Sequence, residues 1–528
     1  MTVIKDIHFE KPTANKTGAV RQIQAAILVC YLLLNISVAL TGRPQTDESV
    51  YANPGYNLLH SGRMGTTLYE LRGFMPLSLA ERTYWQPPLY FLTTAAWYRL
   101  FGFGLLQTRF LSTLFGALVI CCWCVIARSL LQSKTAQWLV PGLVAVDYFF
   151  VIGSSTGRMD IMCAALGIAS IATYVSNRQK SLFSAIFWSH GLATFAILTH
   201  PAGLSYWLGL AFLVLYFDRR SLSLQHLAAA AVPCVAGGLL WGSYIAQDPA
   251  AFFAQMQGIL DLNKGSFTAG HWSDIAVVRN LQKELVFRYA GPFGLTSGVG
   301  LLNRLKSLVL LAYATGVFGL LLLTRRSRDL VVFPILALLS FSYLAFASPS
   351  KFSYYLPHTT MFMAACFGVF VSHLRTWGTR PAGNLAVRMP KALLAAAVMM
   401  VAGVELSGLI YRIVQDPLHR SYLPAIAAIR KNSKPGSLVM GSGELWFQLY
   451  SERQVRYDPA LGFRNHLKPS LFVMDTAYDA LHERDREADP AIYAYVRDSL
   501  ARSQVVYSDG YYRVYVERRG EWNAMPAP

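Results

Sequence analysis

What the 528-residue chain has little of is charge: only 14% of its residues are Asp, Glu, Lys or Arg, while 54% are hydrophobic. A soluble domain carries about a quarter charged residues, so the composition excludes one and leaves a polytopic membrane protein with a polar remainder. Negative charge is scarcer still, with 29 acidic against 47 basic residues and a formal net charge of +18. The basic residues are scattered between apolar stretches rather than striped along one soluble face, which excludes a nucleic-acid surface. They are what the positive-inside rule expects of cytoplasmic turns, with anionic membrane lipids as further partners.

Polar sequence holds no cysteine. All seven (Cys30, Cys121, Cys122, Cys124, Cys163, Cys234 and Cys366) fall inside apolar segments. A disulfide framework in the polar C-terminal region is therefore excluded. The CCWC run at 121–124 has neither His nor carboxylate beside it and reads as buried packing residues, like the other cysteines. Internal repeats and low-complexity tracts are also missing, and the C-terminal region has no glycine-rich phosphate loop. The first apolar stretch, AAILVCYLLLNISVAL, lacks a small-x-small cleavage site and follows Lys5, Lys11, Lys16 and Arg21. It is expected to be an uncleaved signal anchor with a cytoplasmic N-terminus.

What is there begins with twelve apolar segments, at 22–40, 86–101, 107–127, 136–152, 159–176, 183–198, 203–217, 226–246, 305–324, 330–347, 354–373 and 391–413. They predict a polytopic α-helical membrane protein of about 11–13 spans. Segment 86–101 is short and opens on Pro87-Pro88, so it is expected to be interfacial or re-entrant. Residues 1–414 are taken as the membrane domain, with loop 41–106 carrying the chemistry. Residues 415–528 are taken as a small soluble α/β domain. There YLPAIAAIRKN and DPAIYAYVRDSLARS read as helices, SLVMGSG and SLFVMDTA as strands, and SQVVYSDG with YYRVYVERR as a hairpin around Ser508-Asp509-Gly510. Loop 247–304, with FTAGHWSD and KELVFRYAGPFG, reads as a lid, an interfacial helix pair or a structural cover.

Placing the basic turns inside leaves several polar clusters on the outer face. The first is the adjacent pair Asp47-Glu48 with Tyr51, continuing through Arg63 and Tyr69. The second is Tyr84-Trp85-Gln86-Pro87-Pro88-Leu89-Tyr90, the third Arg158-Met159-Asp160, and the fourth Lys351-Phe352-Ser353-Tyr354-Tyr355-Leu356-Pro357-His358; His200 lies in another outer turn. Carboxylates at a membrane boundary are hydrated, paired or functional. Structural readings stand beside the chemical ones. Asp47 and Glu48 suit a helix N-terminus, Arg158 and Lys351 an interfacial anchor, and Asp160 a cap or a partner for Arg158. His200 suits a satisfied interfacial position and the tyrosines an aromatic belt.

In order and spacing these motifs resemble the polyprenyl-phosphate-dependent glycosyltransferases of the C superfamily, over about residues 20–375. The likeness is nearest to the branch of lipid A aminoarabinose transferases and protein O-mannosyltransferase-like proteins. The resemblance implies inverting transfer of a hexosyl or pentosyl group from a polyprenyl-phosphate donor to an acceptor on the periplasmic side of a bacterial inner membrane. The acceptor would be lipid A, another envelope glycan or a protein. By motif, Asp47 is the catalytic base, with Glu48 sharing the site, orienting the acceptor, holding a cation or capping the helix. The phosphate leaving group calls for fixed positive charge, expected from Arg158 and Lys351 and secondarily Arg63. Tyr51, Tyr84, Gln86, Asp160, His200, Tyr354, Tyr355 and His358 are expected to touch substrate. Some relatives carry an acid or histidine where Gln86 stands, so no obligatory metal is expected. A divalent cation on Glu48 and His200 stays open. A flippase or transporter for a lipid-linked saccharide, and a non-catalytic envelope scaffold, are the competing readings.

Overall fold

The computed structural model describes residues 17–69, 77–266, 275–296, 300–323, 328–377 and 391–517. The membrane half runs through α1 (Thr17–Thr41), α2 (Thr46–Ser61), α3 (Leu89–Phe101), α4 (Leu105–Leu130), α5 (Lys134–Val146), α6 (Tyr148–Ser154), α7 (Met159–Asn177) and α8 (Leu182–Thr199). It continues through α9 (Gly203–Asp218), α10 (Leu224–Ile245), α11 (Pro249–Ser266), α12 (Ala276–Lys283), α13 (Leu301–Leu323), α14 (Val332–Phe346), α15 (Pro357–Trp377) and α16 (Lys391–Gln415). Each of the twelve apolar segments coincides with one of these helices or with the α5–α6 pair. Among the described residues seven helices are long and apolar enough to cross a membrane, and α5 with α6 can form an eighth span, bent by 62°. The chain is therefore a multi-pass membrane protein. Helix α3 has only 13 residues, about 20 Å of rise against a ~30 Å hydrocarbon core, which agrees with the interfacial reading of segment 86–101.

The break between α5 and α6 has a local cause. Asp147 leaves the helical path and caps α6, accepting the Phe150 amide at 2.8 Å. Its carboxylate also accepts from Thr360 at 3.0 Å and from the Tyr313 hydroxyl at 3.0 Å. Tyr313 lies 3.5 Å from Glu405 of α16, whose other oxygen takes the Tyr148 amide at 3.1 Å. A kink that would strand backbone donors in lipid is thus closed by side chains from three neighbouring helices.

The C-terminal α/β unit consists of α17 (Leu423–Asn432), β1 (Leu438–Met440), α18 (Trp446–Leu449), β2 (Gln454–Arg456), β3 (Leu471–Met474), α19 (Thr476–Ala488), α20 (Pro490–Ala501), β4 (Ser503–Ser508) and β5 (Arg513–Glu517). The sheet order is β2-β1-β3-β5-β4; β1 pairs parallel with β2 and β3, and β5 pairs antiparallel with β3 and β4. The expected hairpin forms where Asp509 accepts the Tyr511 and Tyr512 amides at 2.9 and 2.7 Å and Gly510 takes φ +86°. Strand β2 and helices α18 and α19 were not anticipated. FTAGHWSD in loop 247–304 lies outside the described residues.

This unit shares its core with the membrane half. Ala52, Tyr98 and Leu105 are buried with Leu445, Trp446, Phe447 and Val514 in one apolar cluster. Phe103 sits 4.8 Å from the Trp446 ring and 4.9 Å from the Tyr450 ring. A β-carbon added at Gly443 would stand 2.9 Å from Ser49 Oγ, so the two halves meet closely at this glycine. Beside this contact Glu444 accepts from Thr46 Oγ1 at 2.6 Å and from the Tyr512 hydroxyl at 3.1 Å.

Burial, with Asp475 nearby, raises the Glu444 carboxyl to about 7. The folded protein therefore holds this proton longer than the unfolded chain does. The associated stability is full below about pH 4.5, falls by about 1.4 kcal/mol per pH unit on the way to 7, and is gone above it. Glu444→Gln should flatten this part of the stability–pH curve, read as thermal unfolding between pH 5 and 8. A variant curve parallel to the unmutated one would refute the assignment.

Candidate functional site

The site is built on the first turn of α2. Gln45 has extended backbone, and Glu48 reaches back to accept the Gln45 amide at 3.0 Å, a cap predicted by acids at a helix start. Glu48 is fully buried and receives two parallel bonds from Arg109 of α4, Nε and Nη2 each at 2.9 Å. The Gly157 amide adds a third donor at 2.8 Å. Arg109 Nη1 donates to the carbonyls of Ala39 and Gly42, at 2.6 and 2.7 Å. A β-carbon at Gly157 would meet Thr108 Cγ2 at 2.4 Å, so glycine is required for this approach.

Asp47, one residue earlier, points the other way. It binds Arg158 Nη1, and its side chain keeps 35% exposure. Arg158 is buried; its Nε donates to Asp160 Oδ2 at 2.9 Å, and its guanidinium lies 4.2 Å from the Tyr354 ring centre and 5.2 Å from that of Tyr51. One cation thus carries two carboxylates and two aromatic rings. Asp47 opens onto a cavity of about 870 Å³ between the membrane helices and the α/β unit. Its walls include Arg43, Tyr69, Tyr354, Arg412, Glu444, Asp475 and Tyr511. Arg412 stands in the last turn of α16, and its Nε is buried without a hydrogen-bond partner.

The other expected residues divide. Tyr51, Asp160, Tyr354 and Tyr355 gather around Arg158, with Tyr355 also 5.2 Å from His200. Tyr84 is buried elsewhere, its amide on Gln255 at 2.8 Å and its hydroxyl 3.3 Å from the Tyr244 carbonyl. Gln86 keeps a buried Oε1 without a partner. Arg63 is exposed and paired with Glu81 at 2.6 Å, and it does not line the cavity.

Lys351 requires a correction. Its ammonium donates to the carbonyls of Leu344, Ala345 and Ser348 at 2.7–2.8 Å and lies 3.3 Å from Glu284. It closes the C-terminal end of α14, with Glu284 held in turn by Arg288. Burial holds the Lys351 ammonium below its ordinary value, against the opposing pull of Glu284. With its donors committed in this way, Lys351 is not free to hold a phosphate. Glu48 is corrected too. Its oxygens are taken by Arg109, Gly157 and Gln45, so it positions the turn and reaches neither acceptor nor cation.

Sequence reasoning missed Arg109, Arg412, Glu444 and Asp475. Arg109 stands in an otherwise apolar span, and that is a signal that could have found it. The carboxyls of the α/β unit gave none. Cys163 is buried in the apolar core, as expected of a packing residue, and it also lies with His200 and His358: one ligand atom from each falls within 4.8 Å of the others.

Residues 21–222 match the family described as dolichyl-phosphate-mannose-protein mannosyltransferase. No curated protein sequence matches the chain significantly. Among solved structures, ArnT from Cupriavidus metallidurans in the apo state is similar with a TM-score of 0.58 at 18% identity, over 95% of this chain and 98% of that one. The same ArnT bound to undecaprenyl phosphate gives 0.57 at 17%, over 96% and 99%. The Archaeoglobus fulgidus oligosaccharyltransferase in the apo form gives 0.54 at 13%, over 94% and 75%. The fold expected from the ordered motifs is borne out: residues 21–222 are similar to that mannosyltransferase family, and the chain is similar in fold to the ArnT and oligosaccharyltransferase structures over nearly all of its length.

Proposed function

We propose that this protein transfers a sugar, with inversion, from a polyprenyl-phosphate donor to an acceptor at the periplasmic face of a bacterial inner membrane. The observation that carries the reading is Asp47, held by a buried arginine yet open to a large cavity beside the membrane helices. One carboxylate oxygen is fixed by Arg158 and the other is left for an acceptor hydroxyl. As that hydroxyl attacks the anomeric carbon, its proton passes to Asp47 and the bond from the carbon to the phosphate oxygen breaks. The phosphate leaves as an anion, and Arg412, at the end of a membrane helix and facing the same cavity, supplies the charge to receive it. Tyrosines and carboxyls on the cavity wall suit a hydroxylated saccharide acceptor, lipid A or another envelope glycan, with a protein side chain as the other class. The fold likeness to an ArnT bound to undecaprenyl phosphate supports the donor class.

With a synthetic polyprenyl-phosphate sugar as donor, Asp47→Asn should lower turnover by about 10²–10⁴-fold while the protein stays inserted and folded. Near-normal turnover would remove Asp47 as the base. Glu48→Gln should act differently, leaving Arg109 buried with half its partner. The expected loss is about 3–5 kcal/mol of stability, measured by thermal unfolding in detergent. Arg412→Gln should raise the donor KM by about 10–100-fold, the value of one charged hydrogen bond to phosphate, and leave the acceptor KM alone. An unchanged donor KM would exclude Arg412 from the phosphate site.

A further inference from the structure

We infer that Cys163, His200 and His358 form a zinc site behind Arg158, with Asp160, which lies outside the preformed trio, drawn in as the fourth ligand. The three side chains come from α7, from the turn after α8 and from the first turn of α15, and all are buried. One ligand atom from each lies within 4.8 Å of the others. Two polar atoms of this neighbourhood are buried without any hydrogen-bond partner, His358 Nε2 and Asp160 Oδ1, and Asp160 interacts electrostatically with both histidines. Asp160 and Cys163 are three residues apart on α7, hence on one helix face.

The donor set suits zinc, which takes thiolate sulfur, imidazole nitrogen and carboxylate oxygen in a tetrahedron. Bonds of about 2.0–2.3 Å set ligand–ligand edges of roughly 3.3–3.7 Å, so the Cys163, His200 and His358 side chains close by about 1 Å on loading, and Asp160 moves in further. The surroundings already prepare one ligand. The Tyr206 hydroxyl sits 2.9 Å from His358 Nδ1, and with the imidazole donating there, the Nε2 lone pair faces the site. Ser340 Oγ holds the His358 carbonyl at 2.8 Å. Burial keeps His200 below its ordinary value, with Asp160 opposing and Arg158 reinforcing that shift. The Ala202 amide donates to His200 Nδ1 at 3.1 Å, and loading gives up this contact at either nitrogen, because zinc on Nε2 moves the imidazole proton to Nδ1. Zinc also displaces the Cys163 proton, so affinity should rise with pH.

Charge balance favours the assignment. A dication, one thiolate and one carboxylate sum to zero, which limits the cost of placing them inside a membrane bundle. Asp160 would then serve the zinc through Oδ1 and Arg158 through Oδ2. The metal would fix Arg158, and with it Asp47, from the side away from the cavity.

The test is metal analysis of full-length protein expressed with added zinc and purified through a tag without histidine. The expected result is one zinc per chain in the unmutated protein and in Asp47→Asn, and loss of zinc in Cys163→Ser and His358→Ala. Tyr206→Phe keeps the ligands and should weaken zinc affinity by about 10–100-fold, which guards against variants that fail to fold. Cobalt-loaded protein should show thiolate-to-cobalt charge-transfer absorption that vanishes in Cys163→Ser. Protein without zinc that takes up none on addition would overturn the proposal. So would zinc retained in full by Cys163→Ser and His358→Ala. Neither outcome bears on whether Asp47 is the base, because the Asp47→Asn activity loss is read separately.

Discussion

The bidentate pair between Glu48 and Arg109 is the interaction on which the rest of the site depends. Both groups are withdrawn from water, so each is tolerable only with its hydrogen bonds complete. Every nitrogen and oxygen of the pair is engaged: Glu48 takes the Arg109 guanidinium and the amides of Gln45 and Gly157, and Arg109 adds the carbonyls of Ala39 and Gly42. Such a pair contributes little net stability against an apolar alternative, but losing one partner is costly, and this asymmetry fixes geometry. Four segments meet there: the end of α1, the start of α2, α4 and the turn before α7. Asp47 and Arg158 each adjoin a residue of the network, and they face one another because it holds their backbones.

Helix α2 then serves both halves of the molecule. Its buried face packs against α3 and the aromatic ledge of Phe103, Trp446 and Tyr450. Its first turn meets Gly443 and Glu444 from the α/β unit. The bridge between Tyr69 and Tyr457 adds backbone pairing, with the Tyr457 amide on the Leu68 carbonyl at 2.8 Å. The cavity therefore has one wall from membrane helices and one from the mixed sheet, and neither half encloses it alone. The α/β unit is part of the site's architecture rather than an appended domain.

Much of this was legible in order and little of it in pairing. Hydropathy located the helices, because burial in lipid imposes long apolar runs. Turn chemistry located the 508–510 hairpin, because aspartate and glycine are what that turn needs. The motif order brought Asp47, Tyr51, Arg158, Asp160, Tyr354 and Tyr355 into one neighbourhood. Lys351 and Arg63 were misread for a common reason. A lysine or arginine at a membrane edge has the same spelling whether it meets a phosphate, three carbonyls or a glutamate. Strand β2 and helix α18 have only three and four residues, too few for any period to show. Glu444 and Asp475 carried no local signal, since only the docking of the α/β unit gives them a cavity to face.

By itself the sequence determined that the chain lies in a membrane, where its helices run, and that acids, one arginine and tyrosines recur at the ends of those helices. These follow from transfer free energies and local backbone preferences, which act within a few residues. Tertiary structure decided which charge meets which. It gave Glu48 to Arg109 and Lys351 to the end of α14. It left Asp47 and Arg412 facing open space, and it set Cys163 beside two histidines. Those assignments depend on desolvation and on contacts between residues up to several hundred positions apart, and no local pattern encodes them.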